Sequence, residues 1–411
     1  MKPITRLFIF LALLASFVCT VSAQPVPAYT FTCTGDQQGS PCPDGGRPYT
    51  ILQGSDGNFY GTAEVSEAGQ QISGGTVFSL TPAGVLTVLY TILPGPQKDF
   101  PNGASPSLLV QGSDGMLYGS APGGANNNHG VLFRVNTDGS DFRVLHSFCS
   151  EPNCADGNYP TALVVGADGN LYGTTIYGGA GQTGSCTGGA CGAIFTVIPS
   201  SGAYSLVFSF TDPQTQGYEP TSLILGPNGS LYGDAGLALF EYTPSTQTFQ
   251  VAAQLPIVHG IPAIGNPAVV ARNGHIYGLY FVYGTDGVGV FRLDVNKKKA
   301  DTVHLFKFYN KTAGGGTPEQ VILGSDGNIW VCDYNGSAGY GDIISLSPSN
   351  GKLLQTFTPF SPSAAVGAYP FGITQAADGT LWGTASDFGI APEGSFAYGT
   401  VFNLNAGLQP R

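Results

Sequence analysis

Short apolar runs alternate with tight polar turns along nearly the whole chain, and the runs are too brief for helices. One segment recurs seven times: Val77-Phe78-Ser79-Leu80, Leu132-Phe133-Arg134-Val135, Ile194-Phe195-Thr196-Val197, Leu239-Phe240-Glu241-Tyr242, Val290-Phe291-Arg292-Leu293, Ile343-Ile344-Ser345-Leu346 and Val401-Phe402-Asn403-Leu404. Its third residue is polar every time and the neighbours are apolar, the alternation of a strand with one face near solvent. A different pattern, such as Leu163-Val164-Val165, is continuously apolar and predicts a strand buried on both faces.

Fixed punctuation joins these strands. Asp56-Gly57, Asp114-Gly115, Asp168-Gly169, Asn228-Gly229, Asn273-Gly274, Asp326-Gly327 and Asp378-Gly379 predict hairpin turns with a positive φ at glycine. The spacing averages about 54 residues, the period of a repeat protein. Three residues beyond each glycine stands an aromatic: Tyr60, Tyr118, Tyr172, Tyr232, Tyr277, Trp330 or Trp382. A glycine follows it in six copies, and Val331 takes that place in the sixth. Upstream, Pro48, Pro106, Pro160, Pro220, Pro267, Pro318 and Pro370 open each unit, where a strand's first residue needs no ladder donor.

A fourth strand follows another turn, as in Phe142-Arg143-Val144-Leu145-His146-Ser147-Phe148. Four short antiparallel strands in each of seven units predict an all-β, seven-bladed β-propeller. The last unit stops after its third strand, while Ala28 to Cys33 is an orphan strand ahead of the first unit. Residues 28–33 are therefore expected to complete the last blade and close the ring, which removes exposed sheet edges.

Composition agrees. Glycine is 61 of 411 residues and only 10% are charged, against about 25% in ordinary domains, which disfavours helical bundles. The 25 Phe and 20 Tyr argue against disorder. A net charge of −11 offers no footprint for nucleic acid.

Met1 to Ala23 has the form of a secretory signal peptide, with Lys2 and Arg6 before an apolar run and Val21-Ser22-Ala23 as cleavage site. The expected mature chain, 24–411, is a single propeller domain with no membrane span, secreted or periplasmic. Close cysteine pairs predict three local disulfides, Cys33–Cys42, Cys149–Cys154 and Cys186–Cys191. Cys332, in an apolar strand, is expected to be a buried inert thiol.

The run Asp-Gly-Asn-Leu-Tyr-Gly-Thr-Thr, then Gly-Gly and Gly-Thr-Val-Phe-Ser-Leu-Thr-Pro, resembles the GloVer-type tandem repeat of choice-of-anchor secreted bacterial proteins. Ser55 to Thr62, Gly74 to Pro82, Gly112 to Gly124, Ala167 to Thr175 and Gly399 to Leu404 carry the likeness. The resemblance implies a secreted propeller-like protein and transfers no catalytic residue. Gly324 to Trp330 is similar, more weakly, to streptogramin-lyase-like propellers.

Candidate chemistry lies where units depart from the repeat. Most units place Thr or Ser after the aromatic-Gly pair, but the fourth has Asp234, and Asp333 and Asp387 stand slightly further along theirs. With His129 and His259, in loops of the face that carries the second-to-third-strand and inter-blade loops, these acids are the candidate binding residues at the channel mouth. The Asp-Gly turns are expected to bind their own backbone, and no metal site is predicted; a divalent cation such as calcium is the alternative. No nucleophile elbow, zinc-protease helix, P-loop or dinucleotide fingerprint is present. The expectation is a monomeric, cofactor-free binding module for a glycan, small molecule or envelope protein, its catalytic residues unknown. The rival is an extracellular lyase or hydrolase acting at the same mouth.

Overall fold

In a computed structural model, the protein is described at residues 24–34, 42–64, 74–95, 100–125, 128–180, 191–255, 265–270, 274–282, 287–307, 318–336, 338–391 and 395–411. Seven four-stranded antiparallel sheets are arranged as the blades of a propeller. Blade three shows the plan: Asn158–Val165 innermost, then Leu171–Tyr177, Ala193–Ile198 and, outermost, Ala203–Ser209. Among the described residues the one helical element is a turn of 3-10 helix, Pro152–Cys154. Met1 to Ala23, read as a signal peptide, lies outside the described residues.

All seven turn glycines have positive φ, from 78° at Gly274 and Gly327 to 92° at Gly379. The turn acids bind their own backbone as expected: Asp56 Oδ1 accepts the Asn58 N–H at 3.1 Å. They also do something the pattern did not announce. The other oxygen accepts the hydroxyl of the tyrosine four residues on, Tyr60 to Asp56 and Tyr118 to Asp114 at 2.7 Å and Tyr172 to Asp168 at 2.8 Å. Turn and aromatic columns are thus one device, because a buried phenol needs a partner.

Each aromatic packs toward the following blade, and the buried side chains form seven clusters, each shared by two neighbours. Seven blades in an open row would share six interfaces; the seventh, joining Trp382 and Val401 to Ile51, Phe59 and Phe78, closes the ring. Trp382 stacks on Phe59 with ring centres 4.0 Å apart.

The glycine after the aromatic faces the third strand's phenylalanine: Gly61 opposite Phe78, Gly119 opposite Phe133, Gly383 opposite Phe402. A Cβ on Gly383 would come within 2.5 Å of Phe402 Cζ, so only glycine leaves room for the ring. The exception explains itself. Val331 faces Ile344, the one third strand without phenylalanine at that place.

The proline column has a second role beyond the missing donor. In five joints its ring lies against a left-handed glycine of the preceding blade: Gly75 against Pro106, Gly130 against Pro160, Gly192 against Pro220, Gly341 against Pro370 and Gly399 against Pro48. The last of these is the ring closure. Val26–Thr34 completes it by pairing antiparallel to Ser395–Leu404, with Pro27 opposite Phe402 and Cys33 opposite Phe396. The Cys33–Cys42 disulfide and a 2.7 Å hydrogen bond from the Tyr29 hydroxyl to Asp44 fasten this strand to the approach to blade one.

Candidate functional site

A left-handed residue precedes the proline in five inner strands: Arg47, Ser105, Tyr159, Glu219 and Tyr369, with φ from 49° to 61°. Non-glycine residues avoid this region unless the surroundings enforce it. Here a hydrogen bond between blades does so. The N–H groups of Ser105, Tyr159, Glu219 and Tyr369 reach the carbonyls of Gly74, His129, Cys191 and Tyr340 at 2.6–3.1 Å.

In blades one, two, three, four and seven this kink comes just before the proline and the residue that reaches the central channel. Tyr49, Ser107, Thr161, Thr221, Glu319 and Phe371, one from each of six blades, line a cavity of about 490 Å³ at the channel mouth. Glu64, Asn128 and Tyr159 add to its rim. The cavity opens on the face that carries the second-to-third-strand loops.

Its chemistry divides by side. Tyr49 and Phe371 lie ring against ring, 4.2 Å between centres. Opposite chemistry comes from hydroxyls: Thr161 Oγ1 donates to the Pro220 carbonyl at 2.8 Å, and Thr221 Oγ1 to Asp234 Oδ2 at 2.9 Å. Glu319 is the acid in this wall. Burial, and then the charge of Asp333, push its carboxyl up to about 7 from an ordinary 4.5. Burial, with Glu319 and Glu64 nearby, also holds the Tyr49 hydroxyl protonated.

The acids singled out in the sequence stand on three different blades, four, six and seven. Asp234 is wholly buried in the second strand of blade four, Leu231–Ala235, accepting from Thr221 and Ser222. Asp333 is wholly buried at the end of Ile329–Asp333, where its Oδ1 accepts the Gly336 N–H and Asp342, also buried, is its cross-strand neighbour. Asp387 is part-exposed and pairs with Arg47 across the ring closure at 3.5 Å. His129 lies beside Asn128, its Nδ1 2.9 Å from Asn158 Oδ1. His259 lies outside the described residues.

Asp234 and Asp333 therefore back the wall through Thr221 and Glu319 rather than form it. Among the described residues, the one group of three or more potential metal ligands within 4.8 Å of one another is His129, Cys149 and Cys154. The two cysteines are joined as a disulfide, as the spacing predicts, so no thiolate is available there. Cys33–Cys42 is also formed; Cys191 is disulfide-bonded, and Cys186 lies outside the described residues. Cys332 is a buried free thiol whose ionisation burial suppresses.

Glu319, Tyr49 and Phe371 were not singled out in the sequence. The signal that finds them is contrast: the position after an unvarying proline reads Tyr, Ser, Thr, Thr, Ala, Glu, Phe in successive blades. Variation beside a structural constant marks the channel wall.

Residues 47–237 match the Gloeobacter/Verrucomicrobia repeat, which covers the first three blades and the first two strands of the fourth. No curated protein matches the sequence. Among solved structures, the extracellular domain assigned to a hybrid two-component system of B. thetaiotaomicron superposes with a TM-score of 0.54 at 11% identity. That match covers 91% of this chain, which spans only 42% of the length of that one. The periplasmic gluconolactonase of Pseudomonas aeruginosa gives 0.53 at 15% identity over 84% of this chain and 97% of its own. A copper-bound fungal alcohol oxidase gives 0.56 at 13% identity, over 95% and 79%. At these identities the likeness is one of fold alone.

Proposed function

We propose that this protein is an extracytoplasmic β-propeller that binds a carbohydrate in its channel mouth. The observation that carries the reading is the composition of the cavity: a paired aromatic wall, Tyr49 with Phe371, facing the hydroxyls of Ser107, Thr161 and Thr221, with two acids, Glu319 in the wall and Glu64 at the rim. A pyranose presents apolar C–H faces and a rim of hydroxyls, and this wall offers a partner for each. The bonded cysteine pairs support a location outside the cytoplasm, as does the leader-like Met1 to Ala23.

The test is calorimetric titration of the mature protein with a panel of neutral mono- and disaccharides. Saturable binding that Phe371→Ala abolishes is the expected result, and silence across the panel overturns the reading. Sequencing of the exported protein is expected to start at Gln24.

A second reading, hydrolysis or elimination on the bound sugar, has one observation in its favour. Glu319 has a proton affinity suited to acid–base work near neutral pH, inside a ligand-sized cavity. New reducing ends or unsaturated products, lost in Glu319→Gln, would convert the binding site into an active site.

A further inference from the structure

The aromatic wall does not stop at the cavity. Phe371 meets Tyr334 edge to face at 6.4 Å, Tyr334 stacks on Tyr369 at 4.8 Å, and Tyr369 lies 6.2 Å from both Tyr340 and Phe388. The series starts at the channel and ends at exposed rings, Tyr340 at 36% and Phe388 at 38% of full accessibility. It crosses blades six and seven on the face where the cavity opens.

Phe388 is there against local preference. Its φ is 64°, a conformation that costs a bulky side chain free energy. Counting from the aromatic of each unit, the same position is Gly124 in blade two, Gly178 in blade three and Gly336 in blade six, all left-handed. The backbone role is also the same, since the Phe388 carbonyl accepts the Gly399 N–H as the Gly124 carbonyl accepts that of Gly130. A Cβ on Gly124 would meet the Phe100 carbonyl at 2.6 Å. Blade seven thus keeps a phenylalanine in a glycine slot, where its ring packs toward Tyr369 yet stays 38% exposed, so the local cost leaves apolar surface facing water.

Resting on the carbohydrate reading, we infer that the channel-mouth site continues outward as an aromatic track, from Phe371 through Tyr334 and Tyr369 to Tyr340 and Phe388, that holds an extended neutral polysaccharide. The exposed outer rings, Tyr340 and Phe388, offer apolar surface to the C–H faces of further sugar units, and the tyrosine hydroxyls supply hydrogen bonds to their edges. Neutrality follows from charge: the protein carries −11, Glu64 lines the inner end, and Arg47 is paired with Asp387, the chain neighbour of Phe388. An anionic polymer would be repelled.

The experiment titrates glucose, xylose, mannose and N-acetylglucosamine, and the corresponding β-1,4-linked hexasaccharides, against the mature protein and three variants. The parent is expected to bind one hexasaccharide at least tenfold more tightly than its monosaccharide. Phe388→Gly and Tyr340→Ala should remove that advantage and leave monosaccharide affinity unchanged, whereas Phe371→Ala should lose both. Phe388→Gly relieves a left-handed phenylalanine, so its Tm should not fall, which separates loss of the track from loss of the fold. A hexasaccharide bound no more tightly than its monosaccharide, or track variants with undiminished hexasaccharide affinity, overturn the track and leave the cavity reading standing. A parent that binds none of these sugars overturns both. Tighter binding of polygalacturonate than of neutral hexasaccharides overturns the charge argument and the inference with it.

Discussion

Gly399 and Pro48, from opposite ends of the described chain, lie against each other so closely that a Cβ on Gly399 would stand 2.6 Å from Pro48 Cδ. The same seam recurs at four other joints, so the ring closes with the contact that sets blade against blade elsewhere. Pro48 supplies a compact ring without an N–H, and Gly399, at a φ of 96°, supplies the space.

Gly399→Ala should therefore destabilise the protein by roughly 2–4 kcal/mol, from the left-handed conformation plus the clash. Gly57→Ala is the control, because its φ is 85° but nothing lies within 4 Å of its Cβ position. It should cost only about 1–2 kcal/mol. Denaturant unfolding measures both, and equal losses would remove the seam from the account.

The pairing of Gly383 with Phe402, against Val331 with Ile344, predicts a coupled pair of substitutions. Gly383→Val alone should unfold or strongly destabilise blade seven. Phe402→Ile alone should cost about 1–3 kcal/mol by leaving a cavity. The double variant should be more stable than the sum implies, by about 1 kcal/mol or more. Strict additivity would show that the ring is not what excludes a side chain there.

Glu319 gives a pH dependence with a definite sign. Its carboxyl holds a proton up to about pH 7 in the folded protein against an ordinary 4.5. Between these values the folded state binds more protons than the unfolded chain, so stability falls as pH rises, by at most about 3 kcal/mol. Glu319→Gln removes the ionisation. It should melt with the parent at pH 4.5 and above the parent at pH 8. A Tm difference that does not change across this range would mean that the carboxyl is solvated.

Removing residues 24–34 tests closure. Without that strand, Ser395–Leu404 becomes an open edge, and Phe31 leaves the cluster joining blades seven and one. Size-exclusion chromatography should show association or aggregation, since bare edges pair with one another. A monomer with an unchanged Tm would mean that the ring does not need its first strand.

Much of the fold was legible because its constraints are local and repeated. Asp-Gly at residues 168 and 169 makes its turn from its own side chain and its own φ, whatever surrounds it. An apolar run, a turn and an aromatic at fixed spacing, read seven times, count the blades without any long-range contact. Even closure by residues 28–33 could be inferred, since an unmatched strand at one end answered a missing strand at the other.

The site was legible only in part, because a ring assembles its mouth from residues some fifty positions apart, one per blade. Departures from the repeat pointed to Asp234 and Asp333, whose strands carry them behind the wall; the inner strands present Thr221 and Glu319 instead. Nothing in the residues around Glu319 sets its proton affinity, which comes from burial and from Asp333 on the adjacent strand. Phe388 likewise reads as an ordinary loop aromatic until its φ is known. The sequence by itself determined how many sheets form and where each turns. Tertiary structure decided which side chains share the channel, what charge they carry and where strain is kept, since those quantities belong to neighbours that only folding brings together.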